Sequence, residues 1–553
     1  MGHLINLSLV FHTIRHLKFK QVFYRTYYYF LKPTKGKNTH PCLRNVTILY
    51  SFPSYIEPAT LDGHVFKFLN HKARISKRWN LKELPKLWLY NLHYQDDLNS
   101  RGSENRKKLC EHLVDSWLLN NPPSKGIGWE SYCISLRVIN WIKWFYRREC
   151  SDVHEAWLKS LTIQVYILEQ KLEYHILANH LFVNAKALIF AGVYLDGEDA
   201  ERWLLKGVKI IDQEITEQFL SDGAHFELSP MYHSMLLWDL ADLINLARTS
   251  QIDSLLSRED SWHSVFVAGM DWLKLMIHPD KKISFFNDST FGVAPSYNDL
   301  SNYASFLKIY LNDNEATSKL SSNFAAESGY CIVDWGEGYR LIADLARVGP
   351  DYQPGHAHAD TLSCELSLFG QRVLVNSGIS QYGKSSERQR QRSTCAHNTV
   401  EVNEMNSSNV WSGFRVAQRA YPFGIHYHKS SHEVKISGSH NGYCKLFSKV
   451  VHRRTWIATT NNLLIEDCLI GRYKTAVAYW HIHPDIKISK IDNAHFLLKL
   501  ASGKSATLAI SGADISIESD TWHSGFGKSL HSNKIVLRFL DSNVITSVNW
   551  GSK

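Results

Sequence analysis

Near residue 320 the chain changes its hydrophobic period, and that change constrains the fold more than any single motif. From about 61 to 320, apolar residues recur at three- and four-residue spacing. They predict helices over 105–119, 132–147, 154–172, 180–194, 200–218, 233–249, 261–277 and 299–311. Consecutive helices with short loops imply hairpins stacked into an array or closed ring, and no short repeat points to a common solenoid. Beyond about 325, short alternating or β-branched runs take over. These are Tyr339–Leu345, Leu362–Phe369, Thr399–Val402, Tyr443–Val451, Asn462–Glu466, Ala476–His481 and Lys534–Phe539. They predict an all-β second domain, a sandwich of stacked sheets. The first 60 residues read as a helix and an irregular connector broken at Pro33, Gly36 and Pro41. At 553 residues the chain is too long for one core. The expected division is 1–60, 61–325 and 326–553.

A net charge of +9 suits a polyanionic ligand or a neutral one. The basic residues are scattered and no nucleic-acid motif is present, so no DNA or RNA partner is expected. Aromatics make up 12% of the chain; flat rings suit sugar faces, although most serve packing. The nine cysteines are dispersed and lack C-x-x-C spacing, which argues against a disulfide framework and for a reducing compartment. The apolar run from Leu4 to Phe11 is too short to span a bilayer, and neither flank suits a signal peptide. A cytoplasmic location is therefore expected, with the periplasm as the alternative. Arg15, Lys18 and Lys20 with Leu17 and Phe19 suit an amphipathic surface helix, docking on the protein itself being the simpler reading.

Three stretches concentrate polar chemistry. In Gly349–Ala396 and the following His397–Asn398, the positions His356, His358, Asp360, Leu362, Cys364, Leu366 and Leu368 alternate as on one face of a strand. Asn376 ends the run Val373–Val375, and His397 opens Thr399–Val402. Three neighbouring strands would bring His358, Asn376 and His397 together, a plausible donor set for a divalent ion. Taken singly, such histidines are more often surface or hydrogen-bonded core residues. The second stretch is Tyr174–Lys186, where Asn179 precedes a helical run and suits an N-cap. The third is Asp222–His233, in which Asp222-Gly223 forms a turn, Pro230 opens a helix and Tyr232 lies just inside it.

Together the blocks NHLFVNAKAL (Asn179–Leu188), DGAHFELSPMYH (Asp222–His233), GHAHADTLSCELS (Gly355–Ser367) and RSTCAHNTV (Arg392–Val400) resemble the heparinase II/III family of polysaccharide lyases. WLYNLHYQDDL (Trp88–Leu98), SLRVINW (Ser135–Trp141) and VWSGFRV (Val410–Val416) extend the likeness through most of the chain. The resemblance implies an incomplete α/α toroid followed by an antiparallel β-sandwich. It also implies β-elimination on an acidic polysaccharide containing uronic acid. In that chemistry the charge of the uronate carboxylate is blunted, the C5 proton is abstracted and the oxygen on C4 leaves.

By the same resemblance, Asn179 and His180 contact the carboxylate, Tyr232 is the catalytic tyrosine and His356 is a partner base. Trp129, Arg137, His225, Glu227 and Arg415 are candidates for substrate binding or for orienting the tyrosine. For Trp129 and Arg137, internal packing is an equal reading. A structural metal (Zn or Ca) would sit on His358, Asn376 and His397; the family pattern usually carries Asp where Asn376 stands, which weakens the site. Two alternatives were weighed against the lyase. A glycoside hydrolase would need two carboxylates at suitable separation, nominally among Asp222, Glu227 and Asp288. The N-terminal HTIRHLKFKQVFYR resembles members associated with surface-polysaccharide assembly, which suits a binding or biosynthetic role.

Overall fold

The computed structural model describes residues 7–34, 36, 42–44, 50–75, 79–312, 320–336, 338–445 and 449–551. Pro41 and the start of the Leu4–Phe11 run lie outside them. The helical part follows the periodicity closely. Its main helices are Lys107–Asn120, Ser131–Phe145, Glu155–Gln170, Ala178–Tyr194, Glu198–Gln218, Pro230–Ser250, Asp253–Leu275 and Tyr297–Phe306. A further helix, Lys86–Tyr94, was not predicted. The apolar faces meet in one core around Trp117, Trp141, Trp157 and Leu188. Two glycines let the central hairpin close: a Cβ on Gly207 would sit 2.7 Å from Ile189, and one on Gly192 2.6 Å from the Ala200 carbonyl.

The β part begins with Ser321–Ala325, a few residues before the expected boundary at 325. One antiparallel sheet runs in the order Ala513–Gly525, Lys528–Phe539, Ala476–Ile482, Gln371–Leu374, Cys364–Leu368, Arg340–Asp344, Tyr330–Asp334 and Ser321–Ala325, and Val400–Val402 pairs with Ala476–Ile482. The second runs Pro422–Lys429, Val434–Tyr443, Val450–Thr459, Asn462–Ile470, Asn543–Asn549, Ser505–Ser511, His495–Lys499 and Lys487–Lys490. Leu341, Leu366 and Trp480 of the first share a core with Trp456, Ile465 and Leu508 of the second. The predicted strand Tyr443–Val451 is instead the end of one strand and the start of the next.

The two parts are joined by a small apolar seam. Ala224, Leu228, Trp272 and Phe286 from the helical part pack with Tyr330, Ile332 and Ile342 from the first sheet. This seam fixes the segment before Pro230 against the β part, and the candidate site forms beside it. At the N-terminus the expected surface helix divides into Leu7–Ile14 and Phe19–Phe30, with Arg15 to Lys18 outside both. Among the described residues no helix is long and apolar enough to cross a membrane.

Candidate functional site

Both helical segments that carry site residues begin under backbone strain. Leu177 and Ala178 have φ of 71° and 52° immediately before Asn179 and His180, and Leu228 has φ of 57° before Ser229. Such conformations cost about 1–3 kcal/mol each and persist where surrounding contacts hold them. The helix Ala178–Tyr194 starts two residues earlier than expected, so Asn179 lies inside its first turn and Leu177 takes the cap. Ser229 caps the helix Pro230–Ser250, its hydroxyl accepting the Tyr232 N–H at 3.2 Å. Tyr232 is thereby pinned in the first turn.

The Tyr232 ring stacks on His356, with centroids 3.8 Å apart and planes 15° from parallel. Behind it the His356 Nδ1–H donates to Glu227, which is buried at the end of the Asp222 turn. That bond fixes the tautomer and leaves Nε2 as the lone-pair nitrogen. The Tyr232 hydroxyl shares a 2.8 Å hydrogen bond with the Tyr382 hydroxyl. Burial is the main cause pushing the Tyr232 phenol above its ordinary value, with Asp288 adding to it. Burial also works against the Glu227 carboxylate, but His356 beside it outweighs that and holds it below the usual range.

His180 lies nearby, its ring 4.4 Å from Tyr132. Its Nδ1–H donates to Glu173 at 3.1 Å. Burial alone would lower the imidazole pKa; the Glu173 carboxylate reverses this, and the net shift is upward. Glu227 contributes to the same upward shift, so one carboxylate acts on both imidazoles. Asn179 is buried and its Oδ1 has no hydrogen-bond partner among the described residues. An orphaned buried acceptor beside an imidazole is a place that a ligand's donor would satisfy.

His356, His358 and Asp360 do not lie on a strand. The strand begins at Cys364, and Leu362 has φ of 64°, which excludes continuous alternation through it. The loop nevertheless brings His358 Nδ1 within 3.0 Å of His397 Nε2. The other ring nitrogens settle the tautomers. His358 Nε2–H donates to Asp288 at 2.8 Å, and His397 Nδ1–H donates to the Ser393 carbonyl at 2.8 Å. Two lone pairs therefore face each other. Burial holds His358 at about 4 and His397 well below the ordinary histidine value, so a proton does not fill the gap at neutral pH. Ligand atoms of His358, His397 and Asp360 all lie within 4.8 Å of one another.

The carboxylate of that set is thus Asp360, where the resemblance had pointed to Asn376. The Asn376 oxygen accepts the Asn398 N–H at 3.2 Å, and its Nδ2 is buried without a partner among the described residues. For Arg137 and Trp129 the geometry matches the packing alternative. Arg137 is fully buried, its guanidinium donating to Gln164, the His93 carbonyl and the Gly128 carbonyl at 2.8–3.0 Å. Trp129 packs on Trp117 and donates to the Asn121 carbonyl. Both belong to the helical core, because every polar atom they carry finds an internal partner there.

His225 is buried on Gln218 and supports the turn from behind. Arg415 is exposed and lies over Trp411, 4.8 Å from its ring, while its neighbour Phe414 reaches the Tyr382 ring. Sequence reasoning missed Tyr382, Glu173 and Arg388. Arg388 makes a bidentate pair with Asp288 at 2.5 and 2.7 Å and lies over Tyr382. Glu173 immediately precedes the polar stretch Tyr174–Lys186, seven residues before His180, and that proximity was the available signal. Tyr382 and Arg388 fall inside the Gly349–Ala396 stretch, but no spacing or turn chemistry there distinguishes either from its neighbours.

With this geometry in view, comparison with known proteins is informative. Residues 99–317 match the family described as Heparinase II/III N-terminus, and 317–551 match Heparinase II/III-like, C-terminal. The chain belongs to the heparinase II/III family. It is 24% identical over 362 residues to a heparin-sulfate lyase of Bacteroides stercoris, covering 61% of this chain and 50% of that protein. A heparin-sulfate lyase of Bacteroides thetaiotaomicron is 25% identical over 260 residues, covering 41% and 37%. The matches span half or less of these curated relatives. Among solved structures, that of heparinase III aligns over 99% of this chain and 87% of its own, with a TM-score of 0.70 at 15% identity. That of a heparan sulfate lyase mutant from Pedobacter heparinus aligns over 96% and 88%, with a TM-score of 0.59 at 16% identity. The likeness to these structures is one of fold.

Proposed function

We propose that the chain is a polysaccharide lyase that cleaves an acidic, uronic-acid-containing polysaccharide by β-elimination. The observation that carries this is the Tyr232–His356 stack with Glu227 behind it, beside a His180 whose imidazole Glu173 biases toward the cation. His180 and the side chain of Asn179 blunt the charge of the uronate carboxylate as it takes on enolate character. The C5–H bond breaks toward His356 Nε2 or, where the epimer presents the other face, toward a Tyr232 that starts as the phenolate and returns that same proton to the departing oxygen. The C4–C5 double bond forms, the C4–O bond breaks, and the departing oxygen takes a proton from the Tyr232 hydroxyl, which Tyr382 positions.

The carboxylates a hydrolase would use are committed elsewhere, which favours elimination. Asp222 accepts from Ser328, Asp288 is locked by Arg388, and Glu227 holds His356.

The same reading takes the helical part as an incomplete α/α toroid and the β part as a sandwich. The division is 1–60, 61–320 and 321–553, the last boundary moved ahead of Ser321. It also assigns one structural divalent cation to His358, His397 and Asp360. Two facing imidazole lone pairs and a carboxylate suit a nitrogen-preferring ion such as zinc better than calcium. When bound, the ion would tie the 349–363 loop to the segment before Val400 and so hold His356 in place.

The test is absorbance of an unsaturated uronate during incubation with a panel of acidic polysaccharides. Rising absorbance is expected with one of them. New reducing ends without that absorbance would establish hydrolysis instead.

A further inference from the structure

The two N-terminal helices carry a feature the catalytic site does not use. Each is held to the protein by one face. Tyr24 packs on Tyr174 at 4.7 Å, Tyr28 donates to the Leu172 carbonyl, and Gln21 donates to the Tyr352 carbonyl. On the first helix, Thr13 accepts from Trp411 Nε1 at 3.1 Å. These contacts reach both the helical and the β part, so the pair straddles the seam between them.

The opposite faces are apolar and open. Phe19, Phe23, Tyr27 and Phe30 form one stripe along the second helix, with Phe19 83% and Phe30 75% exposed. Phe19 stacks on Phe23 and Phe23 on Tyr27, giving a continuous ring surface. Leu7, Phe11 and Ile14 form the matching stripe on the first helix, Leu7 being 79% exposed. Nine large hydrophobic residues are exposed within 7–30, against fifteen in all the other described residues. Such a concentration marks a contact surface rather than scattered exposure.

Charge decides the partner. The first 56 residues contain eight Lys or Arg and no Asp or Glu. Lys18 and Lys20 face inward, Lys18 on Glu217 and Lys20 over Tyr174. Arg25 and Lys32 are exposed; Val22 and Tyr29 widen the outward apolar face beyond the stripe, and by the roughly 3.6-residue turn Arg25 follows Tyr29 at the edge of that wider face. An outward aromatic and aliphatic stripe edged by cations, on helices too short to span, is the arrangement of a helix lying in a lipid interface.

We infer that this stripe is a membrane-surface docking face whose partner is a bilayer carrying anionic headgroups. It seats the protein on the membrane without crossing it and leaves the catalytic groups on the protein body. The inference stands independently of the lyase reading.

The test is co-sedimentation of the full chain with vesicles of phosphatidylcholine alone or mixed with phosphatidylglycerol. At least tenfold more protein is expected to pellet with the anionic vesicles, and the difference should shrink with added salt. The combined substitutions Phe19→Ser, Phe23→Ser and Phe30→Ser should abolish pelleting while leaving the unfolding temperature unchanged, since these side chains are exposed. Arg25→Glu with Lys32→Glu should cut anionic binding several-fold, and serves alone should the serine variant fold poorly. Absence of pelleting, equal pelleting with both compositions, or full anionic binding by the charge-reversed variant would overturn the inference. So would a dimer that the serine substitutions dissociate while vesicles leave the protein in solution, for the stripe would then belong to a second copy.

Discussion

The same four-residue constellation occurs twice, once across the seam with Asp288 from the helical part and once wholly within the β part, and only one copy closes its hydrogen bonds. At the site, His397 faces His358, which donates to Asp288, which takes both arms of Arg388. Within the second sheet, His440 faces His452 at 3.2 Å, His452 donates to Asp467, and Asp467 takes both arms of Arg454. The difference lies in the last partner. His440 Nδ1 accepts the Gly442 N–H at 3.1 Å, so its Nε2 carries the proton and donates to His452. His397 Nδ1 instead donates to a carbonyl, so its Nε2 presents a lone pair to another lone pair. One backbone group, a donor in one case and an acceptor in the other, separates a self-satisfied scaffold from a cluster whose two lone pairs face each other.

The contrast can be broken in four ways. The largest effect should come from the chemistry beside the first copy. Tyr232→Phe and His356→Ala should each lower turnover by about 10²–10⁴-fold, the range for a general acid or base. Equilibrium unfolding should show little change in the tyrosine variant, and normal turnover in both would remove the proposed mechanism. Next, Asp467→Ala should cost about 3–5 kcal/mol of stability by leaving Arg454 buried and unpaired. Chemical denaturation in the presence and absence of a chelator should give the same loss, since that copy holds no ion.

A chelator should act on the other copy. Stripping the ion should lower the stability of the unaltered protein by about 2.7 kcal/mol if it had been present at a hundredfold its Kd. His397→Gln should make the protein indifferent to chelation; equal sensitivity of that variant would place any bound metal elsewhere.

The smallest effect is on pH. His180 has its pKa raised in the folded state, so its stabilisation is complete below the unfolded value of about 6.5 and fades as pH rises through the folded value. The stability gap between the unaltered protein and Glu173→Gln should therefore be widest below that pH and close above it. The alkaline limb of turnover should move to lower pH in the same variant. The four paired histidines, all held low by burial, should add no limb there. A limb that stays in place would detach His180 from catalysis.

Much of the fold was legible. The eight predicted helices all appear, because their apolar faces repeat at the helical period over ten or more residues. Strands were less legible: Val434–Tyr443 and Ala513–Gly525 passed unnoticed, one rich in polar residues and the other in alternating charges at the sheet edge. Of the candidate site, Tyr232, His180 and His356 were found through their motifs. The structure sets His180 and His356 about Glu227, which lies within a motif, and adds Glu173 behind His180, which lies outside one.

The sequence by itself determined the two-part architecture, the turn at Asp222-Gly223, the Pro230 helix start and the polar segments from which the site is built. Those are local properties, set by periodicity and by turn and cap chemistry. Only the tertiary structure decided that Arg137 is a core residue, that Asp360 joins the histidine pair, and that Tyr382 meets Tyr232 across 150 residues of chain. Each depends on which donor lies opposite which acceptor after packing, and sequence spacing carries no record of that.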